Sequence, residues 1–169
     1  MSGELRVGIM MGSKSDLPVM QAAADVLTQL GIGWEMRIMS AHRTPAEADE
    51  FAVTARDRGI QVLICGAGMA AHLAGCVAGR TQLPVIGVPL GAAMGGMDAL
   101  LATVQMPPGV PVATVAVGKA GAKNAAWLAA RIISVADSAV RERLEGAVAG
   151  MADKVREADA ELQASGGRG

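Results

Sequence analysis

The hydrophobic positions of this chain change period as the sequence runs, and the changes mark out alternating strands and helices. Residues 5–11 (LRVGIMM) are a short apolar run ending at Gly12, the pattern of a parallel strand buried on both faces. Leu17, Met20, Ala24, Leu27 and Leu30 then recur at spacings of three and four, one apolar stripe of a helix. Asp16 is placed to cap that helix, Pro18 falls in its first turn where no N–H is needed, and Gly31 stops it. Residues 34–39 (WEMRIM) alternate apolar and charged, which predicts an edge strand with one wet face. Thr44-Pro45-Ala46-Glu47 has the signature of a capping box opening a second helix, and Gly59 ends it.

The alternation continues through the second half. Strands are predicted over 61–65 (QVLIC), 84–88 (PVIGV) and 111–117 (PVATVAV), and helices over about 70–79, 97–104 and 121–137, with a glycine-rich loop over 89–96. Five strand–helix pairs define an α/β chain: a three-layer αβα sandwich around a parallel five-stranded sheet. The flavodoxin-like order 2-1-3-4-5 is the commonest for that count. Residues 138–162 read as an extra C-terminal helix with Val140, Leu144, Val148, Met151 and Val155 on one face, suited to cover a domain edge or another chain. Neither a repeat nor a linker interrupts the pattern. One domain over 1–164 is therefore expected, with a core at about 5–137 and a disordered tail at 165–169.

Composition removes whole classes of function. The chain is 51% hydrophobic and only 18% charged, which is inconsistent with disorder. A formal net charge of −1 and only 2% aromatic residues argue against a nucleic-acid partner. The uncharged stretch 99–118 is split by Pro107, Pro108 and Pro111, so no membrane span is expected. The first residues lack the pattern of a secretory signal. Cys65 and Cys76 sit in apolar surroundings without metal-ligand spacing and read as buried thiols of a reducing compartment, the cytoplasm. No cluster suggests a metal.

Ligands of open parallel sheets bind at the carboxyl ends of the strands, so the chemistry is sought in those loops. The first, Gly12-Ser13-Lys14-Ser15-Asp16, offers glycine, hydroxyls and helix N–H groups to phosphate oxygens; an ordinary capped turn would look the same. It lacks the spacing of a P-loop or a dinucleotide fingerprint. In the second, Ser40, His42 and Arg43 stand together just before a helix: arginine is a natural fork for phosphate, and imidazole is suited to proton transfer near neutrality. The third, 66–72, is small and apolar except for His72, placed on the first turn of the third helix. Loops 89–96 and 105–108 could close over a ligand or pack between subunits, and 118–124 lies at another helix start. Proton transfer on a bound phosphorylated small molecule is where the residues alone lead.

Five segments in register extend this reading: MGSKSD (11–16), SAHRTP (40–45), GAGMAAHL (66–73), PVIGVP (84–89) and the stretch 104–126. Together they resemble the class I N5-carboxyaminoimidazole ribonucleotide mutases of purine biosynthesis, over roughly residues 5–137. The resemblance implies an isomerase that moves a carboxyl group from the exocyclic nitrogen of its ribonucleotide to the ring carbon, giving 4-carboxy-5-aminoimidazole ribonucleotide. It implies decarboxylation and recarboxylation through transient CO2, with no cofactor, in a homo-oligomer, an octamer in this family. His42 is the implied general acid and base, with His72 beside the base or the carboxylate. Ser13, Ser40 and Arg43 are the implied phosphate contacts, and Asp16 the ribose contact. Residues 68–72, Gly68, Met69 and Ala70 among them, would line the CO2 pocket, and Ser15 and Leu73 would be further substrate contacts. Related class II enzymes carboxylate aminoimidazole ribonucleotide directly, with lysine and glycine after the histidine; Arg43-Thr44-Pro45 fits the mutase. A non-catalytic flavodoxin-like module is the remaining alternative. The chain departs from the family pattern at Met69 and Ala74, where glycine and proline are usual, at Gly91-Ala92, and at Pro108.

Overall fold

The computed structural model describes residues 4–91 and 94–166. Its elements run β1 (Leu5–Met11), a 3-10 turn (Lys14–Asp16), α1 (Leu17–Gln29), β2 (Gly33–Ile38), α2 (Pro45–Thr54), β3 (Val62–Gly68), α3 (Leu73–Ala78), β4 (Val85–Leu90), α4 (Met97–Val104), β5 (Ala113–Thr114), α5 (Gly118–Ser134) and α6 (Ser138–Ala164). All strand pairs are parallel, in the order β2-β1-β3-β4-β5. This is the expected order, with β2 at an edge.

Alternate residues of the central strands feed two cores, as the two-residue period of a strand requires. Val7, Ile9 and Met11 of β1, Val62 and Ile64 of β3, and Ile86 and Val88 of β4 pack against α1 and α5. Met10, Leu63, Cys65 and Val85 face the other way, onto α2 and α3. Small side chains bring layers close: Ala122, Ala125, Ala126, Ala129 and Ala130 of α5 are all buried. Burial pushes the Cys65 thiol up to about 12, so it stays protonated and inert. Cys76 is exposed, against the expectation of two buried thiols, because it lies on the outer side of α3.

Several boundaries shift for physical reasons. The third strand runs on through Gly66, Ala67 and Gly68, expected as a loop, because those residues pair with Val88, Pro89 and Leu90 of β4. Helix α3 consequently begins only at Leu73, with His72 in the capping position rather than in the first turn. The fifth strand has just two residues, and α5 starts earlier, at Gly118. The capping box is not formed: the Thr44 hydroxyl donates to the Ser40 carbonyl at 3.3 Å and accepts the Ser40 N–H at 2.9 Å. Asp16 precedes α1 as expected but makes no side-chain cap; Ser13 instead accepts the Ser15 N–H at 3.3 Å.

The C-terminal helix docks by its N-terminal part, with Ala147 the last residue packed against the core. Val140 and Leu144 enter the core, whereas Val148, Met151 and Val155 of the same stripe remain exposed. Arg143 fixes the docking by donating to the Leu30 carbonyl at 2.7 Å. Of the tail at 165–169, Ser165 caps α6 by donating its N–H to the Glu161 carbonyl, and residues 167–169 lie outside the described residues. Among the described residues no helix is long and apolar enough to cross a membrane.

Candidate active site

In a 2-1-3 arrangement the loops leaving β2 and β3 straddle the carboxyl end of β1, the switch point where parallel sheets bind ligands. Three loops converge there on a cleft of about 600 Å³. Every candidate named from the sequence lines it: Ser13, Ser15 and Asp16 from the first loop, Ser40, His42 and Arg43 from the second, and Gly68, Met69, Ala70, His72 and Leu73 from the third. Gly12, Ala41, Ala67 and Ala71 complete the lining. Sequence reasoning had no chemical signal for those three alanines, which serve as walls. The loops at 105–108 and 118–124 contribute nothing to this cleft, nor do the described residues of 89–96; Ala92 and Ala93 lie outside the described residues.

The second loop is wound tightly. Both the His42 and the Arg43 N–H groups donate to the Ser40 hydroxyl at 3.3 Å, and Thr44 N–H donates to the Ser40 carbonyl at 2.9 Å. Met39 ties the loop's base to β1 by donating to the Met11 carbonyl. Arg43 then crosses to the first loop, where one guanidinium N–H donates to the Gly12 carbonyl at 2.9 Å. A guanidinium has five donors, so this contact fixes the head while leaving others for an anion. Ser13 and Ser15 are themselves joined, hydroxyl to hydroxyl, at 2.9 Å. The two loops thus present serines and one oriented arginine at the same end of the cleft.

In the same cleft the two histidines meet. His42 Nε2 lies 2.8 Å from His72 Nδ1, with the rings edge to face and their centroids 5.0 Å apart. Small residues surround His72 on its own loop, and Leu73 beside it is buried as part of the floor. Asp16 ends the first loop, beside Ser15. Burial raises its carboxyl above the usual value, opposed by the Ser13 backbone, the Ser15 hydroxyl and the Arg43 charge. It remains the one acid of the cleft lining.

A neighbouring cleft of about 510 Å³ between α2 and α3 shares Ala41 with this one. It is mainly apolar, and its charged residues, Asp49 and Arg80, are paired with each other. Its lining includes no histidine. No group of three or more metal-ligating side chains occurs among the described residues.

A sheet of this order, with a cleft at its switch point lined by serines, an arginine and a histidine pair, defines a flavodoxin-like α/β protein of the enzyme class. The chain belongs to the AIR carboxylase family, whose pattern it matches over residues 6–154. It is 53% identical over 164 residues to the N5-carboxyaminoimidazole ribonucleotide mutase of Mycobacterium leprae, covering 96% of this chain and 95% of that one. To the mutase of Pyrococcus abyssi it is 54% identical over 144 residues, 85% and 82% of the two chains. Its fold is similar to the crystal structure of Treponema denticola PurE, with a TM-score of 0.84 and 32% identity over 94% of this chain and 98% of that one.

Proposed function

We propose that this protein is an N5-carboxyaminoimidazole ribonucleotide mutase, and that His42 carries its proton transfers. The observation that supports this reading most directly is the His42–His72 contact, 2.8 Å long, in a cleft also lined by Arg43 and three serines. High identity to mutases over nearly the whole chain points the same way.

The reaction balances without any further reactant. His42, protonated, gives a proton to the exocyclic nitrogen as the N–CO2 bond breaks, leaving CO2 and aminoimidazole ribonucleotide. The enamine-like ring carbon then attacks CO2, and the neutral imidazole removes the proton from that carbon. Each step leaves His42 in the state the next requires. Ser13, Ser15, Ser40 and Arg43 hold the 5′-phosphate by charge-assisted and hydroxyl hydrogen bonds. Asp16 accepts from the ribose hydroxyls. Gly68, Met69, Ala70, His72 and Leu73 bound the space in which CO2 waits. Apart from His72 these walls carry no polar side chain that would compete for CO2.

The protein acts in the cytoplasm as a homo-oligomer, an octamer on the family pattern. Exposed Met97, Leu101 and Val104 along α4, and Met151 and Val155 on α6, are apolar faces that other subunits would cover. Sedimentation of the purified protein tests the assembly. The activity is tested by adding N5-carboxyaminoimidazole ribonucleotide without ATP or metal and following 4-carboxy-5-aminoimidazole ribonucleotide. Product from aminoimidazole ribonucleotide and bicarbonate at comparable rate, with none from the carbamate, would instead identify a direct carboxylase.

A further inference from the structure

Thr44 stands where a helix cap belongs and does not cap. It directly precedes Pro45, the first residue of α2, yet its side chain makes no bond to the free N–H groups of that helix. Its hydroxyl is turned back on Ser40 instead, accepting the Ser40 N–H at 2.9 Å and donating to the Ser40 carbonyl at 3.3 Å. A threonine before a helix ordinarily stabilises it through those N–H groups. Here that contribution is forgone, and the hydroxyl closes the loop that carries His42.

The closure passes to His42 through Ser40. The Thr44 N–H also donates to the Ser40 carbonyl, so Thr44 holds the Ser40 backbone on both its N–H and its carbonyl side. The Ser40 hydroxyl in turn accepts the His42 and Arg43 N–H groups, each at 3.3 Å. Those two bonds are long and share one oxygen, so alone they hold His42 loosely. The imidazole must nevertheless meet His72 at 2.8 Å. Arg43 differs, because its guanidinium has a separate anchor at the Gly12 carbonyl. Loss of the Thr44 hydroxyl therefore frees His42 more than it frees Arg43.

We propose that Thr44 is a positioning residue for proton transfer: through Ser40 it fixes the backbone of His42, and with it the approach of the imidazole to His72 and to the reacting nitrogen. This rests on the mutase reading of the same cleft. It gives Thr44 no contact with substrate, in keeping with a cleft lining that includes Ser40, His42 and Arg43 but not Thr44. A misplacement of about 1 Å can cost about 10²-fold in rate, so the effect falls on turnover.

The test compares the full chain with three variants. Thr44→Val keeps the branched shape without the hydroxyl, Thr44→Ala removes the hydroxyl with less bulk, and Thr44→Ser keeps it. Turnover and KM for N5-carboxyaminoimidazole ribonucleotide are measured per folded chain, well below each melting temperature, so that lost stability alone leaves kcat unchanged. Valine and alanine should each lower kcat by about tenfold or more and raise KM by less than about threefold. Serine should stay within about threefold of wild type on both. A wild-type kcat in the valine or alanine enzyme overturns the inference, even where the melting temperature has fallen. So does a serine enzyme as slow as the valine one, because the hydroxyl is then not the acting group. A rise in KM as large as the fall in kcat would assign Thr44 to phosphate binding and overturn it as well. A wild-type protein that forms no product at all overturns the mutase reading instead, and this inference with it.

Discussion

His42 Nε2 and His72 Nδ1 lie 2.8 Å apart across two loops separated by thirty residues of chain. A contact of that length needs one nitrogen to donate and the other to accept, so the protonation of one ring sets the tautomer of the other. Asparagine at position 42 keeps a polar side chain but cannot carry the proton. His42→Asn should lower turnover by about 10²–10⁴-fold while ribonucleotide affinity stays within about threefold. His72→Asn should lose less, because it orients the first ring rather than replacing its proton. Single-turnover rates and calorimetric binding on both variants check this; wild-type turnover in His42→Asn would end the assignment.

Arg43 is predicted to act on binding more than on chemistry. Its guanidinium is already held by the Gly12 carbonyl, so little side-chain freedom remains to be lost when phosphate arrives. Removing a charge-assisted hydrogen bond is worth about 1.5–3 kcal/mol, so Arg43→Ala should raise KM by about 10- to 100-fold. Lysine should restore only part of the effect, since a point charge cannot hold the carbonyl and a phosphate fork together. An unchanged KM in Arg43→Ala would remove the phosphate role.

The sequence made β1 and α4 legible to the residue, and it placed both histidines at strand ends. Their contact was not legible, because it arises from strand order: β2 and β3 flank β1, and only then do their loops face each other. The extension of β3 was hidden for another reason. Gly66 and Gly68 have weak intrinsic strand preference, and their pairing with β4 is imposed by the tertiary ladder. Close packing on the other face also explains why glycine is there, since a Cβ at Gly66 would meet the Met20 sulfur at 2.4 Å. Thr44 shows the reverse case. Its hydroxyl found a nearer partner in Ser40 than the helix N–H groups, which turned a capping signal into a brace for the His42 loop.

Two glycine-to-alanine changes should separate yielding from unyielding neighbours. At Gly66 the obstacle is the far end of a flexible methionine, which can change rotamer. At Gly121 an added Cβ would lie 1.6 Å from the Ala116 carbonyl oxygen and 2.6 Å from its carbon, both backbone atoms. Gly66→Ala should therefore cost about 1 kcal/mol, and Gly121→Ala about 3 kcal/mol or more. Thermal melts should show drops of about 3 °C and about 10 °C respectively if assembly is unchanged. Equal losses would mean that the α5 entry relaxes more freely than its packing implies.

Asp137 joins the last helix to the sheet and should make that junction sensitive to acid. One carboxylate oxygen accepts the Val140 N–H at 3.0 Å, capping α6, and the other pairs with Arg6 of β1 at 2.5 Å. The Val140 N–H first, then Arg6, hold its pKa below the ordinary value of 3.8. A carboxylate with a depressed folded pKa contributes its full stability above the unfolded value. That contribution shrinks as pH falls through 3.8 toward the folded value, because the unfolded chain takes up the proton first. Asparagine can still cap a helix but cannot titrate or pair with Arg6 as an anion. Asp137→Asn should therefore be less stable than wild type at pH 7, by a gap that narrows as pH falls below 3.8. Urea melts from pH 3 to 7 check this; a constant gap across the range would mean that the carboxylate's charge contributes nothing to holding α6.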